Sequence, residues 1–179
     1  MTCIIGLACP KRGKVYIGGD SAGVANYAVT IRADEKVFRN GPFVMGFTSS
    51  FRMGQILRYA FSPPEHPQGL DGMCYMVGRF VPAVRQAFKD GGYGRSKDGE
   101  DLGGKFLVGY RGQLYAIEDD FQVARMSDDV ASVGCGCEFA LGAMHASAGL
   151  SPRKRILKAL EIATHLSAGV RPPFVIEEA

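Results

Sequence analysis

Thr2-Cys3-Ile4-Ile5-Gly6-Leu7-Ala8 stands directly behind Met1 and reads as a short apolar strand headed by a hydroxyl. Once Met1 is removed, Thr2 carries a nucleophile and a base in one residue. Its hydroxyl can attack a carbonyl, and its α-amine can take the proton. An α-amine titrates near pH ~8 and a side-chain amine near ~10.4, so only the first has a large neutral fraction near neutrality. A threonine here without further company would simply start an edge strand.

The company follows. Gly13-Lys14-Val15-Tyr16-Ile17-Gly18-Gly19-Asp20-Ser21-Ala22-Gly23 reads as the second arm of a hairpin that ends in a carboxylate. Arg32-Ala33-Asp34-Glu35-Lys36-Val37-Phe38 then places a lysine at a strand start. The returning strand brings Asp20 towards Thr2, and the next hairpin sets Lys36 beneath both. A nearby ammonium favours a neutral amine and a more acidic hydroxyl. Asp20 then holds the lysine and orients the hydroxyl.

Composition narrows the class. The chain has 179 residues, 46% hydrophobic and 22% charged, which suits one domain over 1–179 with its own core. Its 24 glycines point to many tight turns and close backbone approaches. The net charge of +3 is spread along the chain apart from Arg153-Lys154-Arg155, so no nucleic-acid footprint is expected. Cys3, Cys9, Cys74, Cys135 and Cys137 form no Cys-x-x-Cys pair, and His66, His145 and His165 lack zinc spacing relative to them. No metal site is expected. No segment reaches the roughly 18–20 apolar residues of a membrane helix, and no secretory pattern opens the chain. The expected setting is a reducing cytoplasm without membrane contact.

Strand patterns cover Cys3–Ala8, Lys14–Gly19, Ala28–Arg32 and Phe43–Thr48. A helix is expected from about Ser50 to the Pro63-Pro64 breaker, and a second from Leu70 to Phe88. The second carries Met73, Met76, Val77, Phe80, Val81, Val84 and Phe88 on one stripe, with Pro82 as a bend. Asp90–Gly104 reads as an exposed mobile loop. Lys105–Tyr110, Gln113–Ile117 and Phe121–Arg125 resume the sheet, with Arg111-Gly112 as a hairpin turn and Ala131–Gly134 as a strand end. Glu138–Ala148 and Arg153–Ser167 read as helices, the latter with Ile156, Leu157, Ala159, Leu160, Ala163 and Leu166 inward; Phe174–Ile176 reads as a final strand. Two sheets packed together and covered by helices would bury all these apolar faces.

In this order the chain resembles the proteasome β-type and HslV-like peptidases, which are N-terminal-nucleophile threonine hydrolases. The resemblance spans nearly the whole length. It rests on Thr2-Cys3-Ile4-Ile5-Gly6, Gly19-Asp20, Lys36-Val37, Val44-Met45-Gly46-Phe47, Gly134-Cys135-Gly136, Ala159-Leu160-Glu161-Ile162-Ala163 and Phe174-Val175-Ile176-Glu177-Glu178. It implies an α+β fold, the four-layer α/β/β/α sandwich. It places the family's nucleophile on Thr2, its aspartate on Asp20 and its lysine on Lys36. The oxyanion and substrate-backbone segment falls on Gly46-Phe47-Thr48-Ser49, with a backbone N–H near Gly46 or Thr48 as donor. Cys135 occupies the place of a serine that supports the terminal amine; a thiol is the weaker hydrogen-bond donor. The first hairpin, through Pro10-Lys11-Arg12-Gly13, is about two residues longer than is usual in the family.

The implied reaction is hydrolysis of peptide bonds in unfolded polypeptides through a Thr2 acyl-enzyme. Ser21, Ala22 and Thr30 are expected along the substrate cleft, and Met45 near the base of its pocket. The chemistry needs no cofactor. The resemblance also implies self-association into stacked rings and an AAA+ unfoldase partner, which alone would use ATP, since the chain has no Walker A loop. Two other readings keep the same residues: a catalytically silent structural ring subunit, and an N-terminal-nucleophile amidase acting on a small molecule.

Overall fold

The computed structural model describes residues 1–97 and 100–179, with residues 95–97 and 100 described by backbone alone. In chain order the strands are β1 (Ile4–Cys9), β2 (Lys14–Gly19), β3 (Ala22–Ala25), β4 (Ala28–Ile31), β5 (Val37–Asn40) and β6 (Phe43–Phe47). Helices α1 (Phe51–Tyr59), α2 (Gly72–Tyr75) and α3 (Val81–Asp90) follow, then β7 (Arg95–Lys97), β8 (Glu100–Leu102), β9 (Phe106–Tyr110), β10 (Gln113–Ile117), β11 (Val123–Ala124) and β12 (Val130–Val133). Helices α4 (Cys137–Ala146) and α5 (Pro152–Leu166) and strand β13 (Val175–Glu178) close the chain.

The two larger sheets run β12-β1-β2-β13 and β11-β10-β9-β6-β5, with every pairing antiparallel. Strand alternation sorts β1 into two faces. Ile4 and Ala8 join Ile17, Val37, Val44 and Leu107 in a cluster between the sheets. Cys3, Ile5 and Leu7 point the other way, into a cluster with Ala140, Met144, Ile156 and Leu160 of α4 and α5. On the far side of the second sheet, Phe38, Met45 and Phe47 pack with Met53 and Ile56 of α1 and Val84 and Phe88 of α3. The sheets approach closely because glycines face each other's side chains. A Cβ on Gly46 would stand 2.6 Å from Ile4 and 2.8 Å from Ile17, so no larger residue fits without displacing them.

Several expectations need correction. The helix expected over Leu70–Phe88 is interrupted by a π-helical turn at Met76–Phe80. Pro82 has no N–H to give to the preceding turn. The ladder slips by one residue, and the Val81 amide reaches back to the Met76 carbonyl. The slip rotates Val77 out of the expected stripe, and it is exposed. On α5, Ile156, Ala159, Leu160 and Ala163 are buried at helical spacing, whereas Leu157 and Leu166 lie beside that stripe and are exposed. The loop expected over Asp90–Gly104 contains paired strands β7 and β8, and Asp98 and Gly99 within it lie outside the described residues. The short hairpin β3–β4 and strand β5 extend the expected pattern. Arg111-Gly112 forms its turn with both residues at positive φ, 47° and 74°. Among the described residues no helix is long and apolar enough to cross a membrane.

Candidate functional site

The register of the first hairpin builds the site. Ile4 lies opposite Gly19, so the strand ends put Asp20 across from Cys3, and the Asp20 amide donates to the Cys3 carbonyl at 3.3 Å. Thr2 shares the parity of Ile4 and therefore opens at the seam between the sheets. Lys36 enters from the second sheet, just before β5; its carbonyl accepts the Phe47 amide at 3.1 Å. The two sheets thus deliver Thr2 with Asp20 from one side and Lys36 from the other.

Thr2, Asp20 and Lys36 are all buried. Lys36 Nζ donates to Asp20 Oδ1 at 2.9 Å and to Thr2 Oγ1 at 3.0 Å. The Thr2 hydroxyl donates to the Met1 carbonyl. Asp20 is fixed by three backbone amides: Cys3 to Oδ1 at 3.0 Å, and Ala22 and Arg171 to Oδ2 at 2.9 and 3.3 Å. Burial pushes Lys36 below the ordinary lysine range, while the Asp20 carboxylate pulls against that shift. The Thr2 nitrogen donates to Cys135 Sγ at 3.3 Å, and the same sulfur lies 3.3 Å from Ser167 Oγ. Gly134, at φ 103°, lets the turn before Cys135 press against Thr2; a Cβ there would come within 2.2 Å of the Thr2 carbonyl oxygen.

The expected oxyanion segment divides. The Phe47 amide is taken by Lys36, and the Thr48 amide by the Lys105 carbonyl at 3.1 Å. Gly46 stands opposite Leu107 two positions along the same ladder, so its amide faces β9. Ser49 lies two residues beyond the end of β6. Its φ is 70°, and among the described residues its amide has no acceptor. Phe47, Thr48 and Ser49 line a cavity beside Thr2 with Val24, Lys36 and Phe51. Gly46 and Met45 do not line it. Gly46 holds the sheets together, and Met45 is fully buried in the cluster under α1.

Ser21, Ala22 and Thr30 also lie off that cavity. Ser21 Oγ donates to the Pro173 carbonyl at 2.7 Å, Ala22 serves Asp20 through its amide, and Thr30 is exposed on β4 with its hydroxyl on the Gly23 carbonyl. The site's further members are Ser167, Arg171 and Phe51, none of which sequence reasoning singled out. Ser167 follows the last turn of α5, and only the fold brings it to Cys135. Cys3 points away from the site, and burial pushes its thiol up to about 12. Among the described residues no cluster of three His, Cys, Asp or Glu side chains could hold a metal ion.

No protein-family model and no curated protein matches the sequence. Solved structures do match. Thiobacillus denitrificans BPH is 20% identical with a TM-score of 0.78, covering 100% of this chain and 97% of its own. HslV from Trypanosoma brucei is 19% identical with a TM-score of 0.70, covering 99% and 98%. An Anbu mutant from Hyphomicrobium sp. strain MC1 is 14% identical with a TM-score of 0.69, covering 98% and 80%. The chain has the α+β fold of these proteins, an HslV-like, proteasome-like fold.

Proposed function

We propose that this chain is a threonine-type endopeptidase of the N-terminal-nucleophile class, acting once Met1 is removed. What supports the reading above all is the buried line Asp20–Lys36–Thr2, at 2.9 and 3.0 Å, at the head of β1. Helices lie outside both sheets, which agrees with the four-layer sandwich of that class. The chain is read as one domain, cytoplasmic, self-associating into rings that admit unfolded polypeptide, with an AAA+ ATPase as partner and no cofactor of its own.

The chemistry follows from the residues. With Met1 gone, the Thr2 nitrogen becomes an amine held by Cys135, and Ser167 in turn holds Cys135. The amine takes the hydroxyl proton, directly or through water. The Thr2 Oγ–carbonyl bond forms and the peptide C–N bond breaks, with the amine passing its proton to the leaving nitrogen. Lys36 stabilises the developing alkoxide without giving up its place on Asp20. The Ser49 N–H is the donor best placed for the oxyanion; removing such a donor typically costs ~2.7–4 kcal/mol in the transition state. Met1 opposes all of this, because its amide removes the base and its carbonyl engages the nucleophile.

The test is hydrolysis of fluorogenic peptides by protein of verified N-terminus, compared with Thr2→Ala. Turnover that vanishes in Thr2→Ala supports the reading. An assembled, processed protein with no turnover and no reaction with epoxomicin, the compound bound in one Thiobacillus denitrificans BPH structure, would favour a structural subunit.

A further inference from the structure

The cavity that Thr2 itself lines holds only about 70 Å³. Met1 is the one part of its wall that processing removes. The Met1 side chain leans on Gly169 next to Cys135: a Cβ on Gly169 would stand 2.3 Å from that of Met1 and 2.9 Å from Cys135 Sγ. The Met1 carbonyl lies on the Thr2 hydroxyl. Loss of Met1 therefore opens the cavity at the nucleophile and leaves Val24, Lys36, Phe47 and Phe51 in place.

Phe51 is held from two sides. Its ring meets that of Phe47 edge to face, with 5.8 Å between centroids. The Arg32 guanidinium lies 4.0 Å from its centroid on another side, and Asp34 grips that guanidinium through both carboxylate oxygens, at 2.6 Å from Nε. Phe47 is fixed in turn against Gly54, where a Cβ would come within 2.1 Å of its ring. Ser50 caps α1 by accepting the Arg52 amide at 3.1 Å, which sets the backbone of Phe51.

Resting on the threonine-peptidase reading, we propose that Phe51, clamped by Arg32 and Phe47, sets the specificity of the acyl side by restricting the residue before the scissile bond to a small side chain, alanine foremost. In acyl transfer the departing amine must lie within reach of the group that returns its proton. That group is the Thr2 nitrogen, 3.3 Å from Cys135 Sγ. Cys135 does not line this cavity, whereas Lys36, which donates to the Thr2 hydroxyl, does. The residue that supplies the carbonyl therefore directs its side chain here. An apolar cavity that takes a benzene ring measures about 150 Å³, far more than the room beside Thr2. A large side chain enters only by parting the clamp. Lys36 and Arg32 are already paired with Asp20 and Asp34, so the wall holds no unpaired cation for an acidic one.

The experiment uses internally quenched peptides that differ only in the residue before the scissile bond: Ala, Asp, Leu or Phe. They are assayed with protein verified to begin at Thr2, with Phe51→Ala and with Arg32→Gln. In parallel, two peptide boronates, ending in the alanine and the phenylalanine analogue, titrate the Thr2 hydroxyl. The expected kcat/KM is higher for Ala than for Phe by at least about tenfold, the scale of overpacking a filled site. Phe51→Ala should invert that order. Arg32→Gln frees one side of the ring and should lower the ratio by about threefold, a readout that stands even where Phe51→Ala does not fold. An Ala/Phe ratio near unity, a ratio that ignores the substitutions, or a preference for Asp, with the alanine boronate still bound to Thr2, would overturn the role of Phe51. A Thr2 that neither boronate reaches, in protein that cleaves none of the peptides, would overturn the threonine reading itself.

Discussion

Asp20 Oδ1 and Lys36 Nζ lie 2.9 Å apart with both side chains closed off from solvent, at 0% and 1% exposure. Each is tolerable in the interior only because of the other and of the amides around Asp20. Asp20→Asn removes the counter-charge and turns an NH2 towards backbone donors. It should cost about 3–5 kcal/mol in unfolding free energy, read from urea midpoints at constant m-value. Adding Lys36→Met should recover part of that loss, because the two sites share one interaction. Additive losses would show that the pair does not stabilise as described.

Gly46 tests the close approach of the sheets. Gly46→Ala drives a Cβ against Ile4 and Ile17. The expected loss is about 1–3 kcal/mol, the usual range for overpacking, measured by denaturant unfolding. A neutral substitution would mean that the seam can widen freely, and that the position of Lys36 against Thr2 is less rigid than drawn.

Much of this was legible in the sequence. Alternation in Cys3–Ala8 and the glycine-ended strand to Asp20 read as a hairpin that returns Asp20 towards Thr2, and the structure pairs its arms with Ile4 opposite Gly19. The step from Asp20 to Lys36 was legible as chemistry because a lone buried lysine needs a carboxylate. The phase slip at Met76–Phe80 was not, since a helical stripe continues smoothly through a residue the π turn inserts. The orientation of Met45 was hidden too, because strand alternation alone does not say which face of β6 meets α1. Ser167 was hidden because its part depends on where the end of α5 meets the turn carrying Cys135, a contact between distant segments.

The thiols give a pH prediction. With its pKa pushed up to about 12 by burial, Cys3 has almost no thiolate at pH 8. Raising the pKa lowers the reactive fraction, so alkylation by iodoacetamide at pH 8 should spare Cys3 in folded protein and reach it only on unfolding. The exposed Cys74 and Cys135 should react first, as peptide mapping by mass spectrometry would show. Early labelling of Cys3 would contradict its placement under α4 and α5.

In the proposed mechanism Cys135 acts on the reaction through the Thr2 nitrogen, to which it lies at 3.3 Å. Cys135→Ala removes the acceptor at 3.3 Å and frees Ser167 from its contact. The expected effect is a fall in kcat of roughly fivefold, about 1 kcal/mol for one net hydrogen bond, with KM little changed. Cys135→Ser should restore the rate. An equal loss in the serine variant would point to packing at this position and not to support of the amine.

The central claim is that catalysis begins at the hydroxyl of an unblocked Thr2. The direct measurement is peptide mapping after a peptide substrate is quenched in acid during steady-state turnover. The account predicts an acyl ester on Thr2, found only in chains whose N-terminus is Thr2. An acyl group carried by Cys135, or full activity in chains that still begin with Met1, would contradict it.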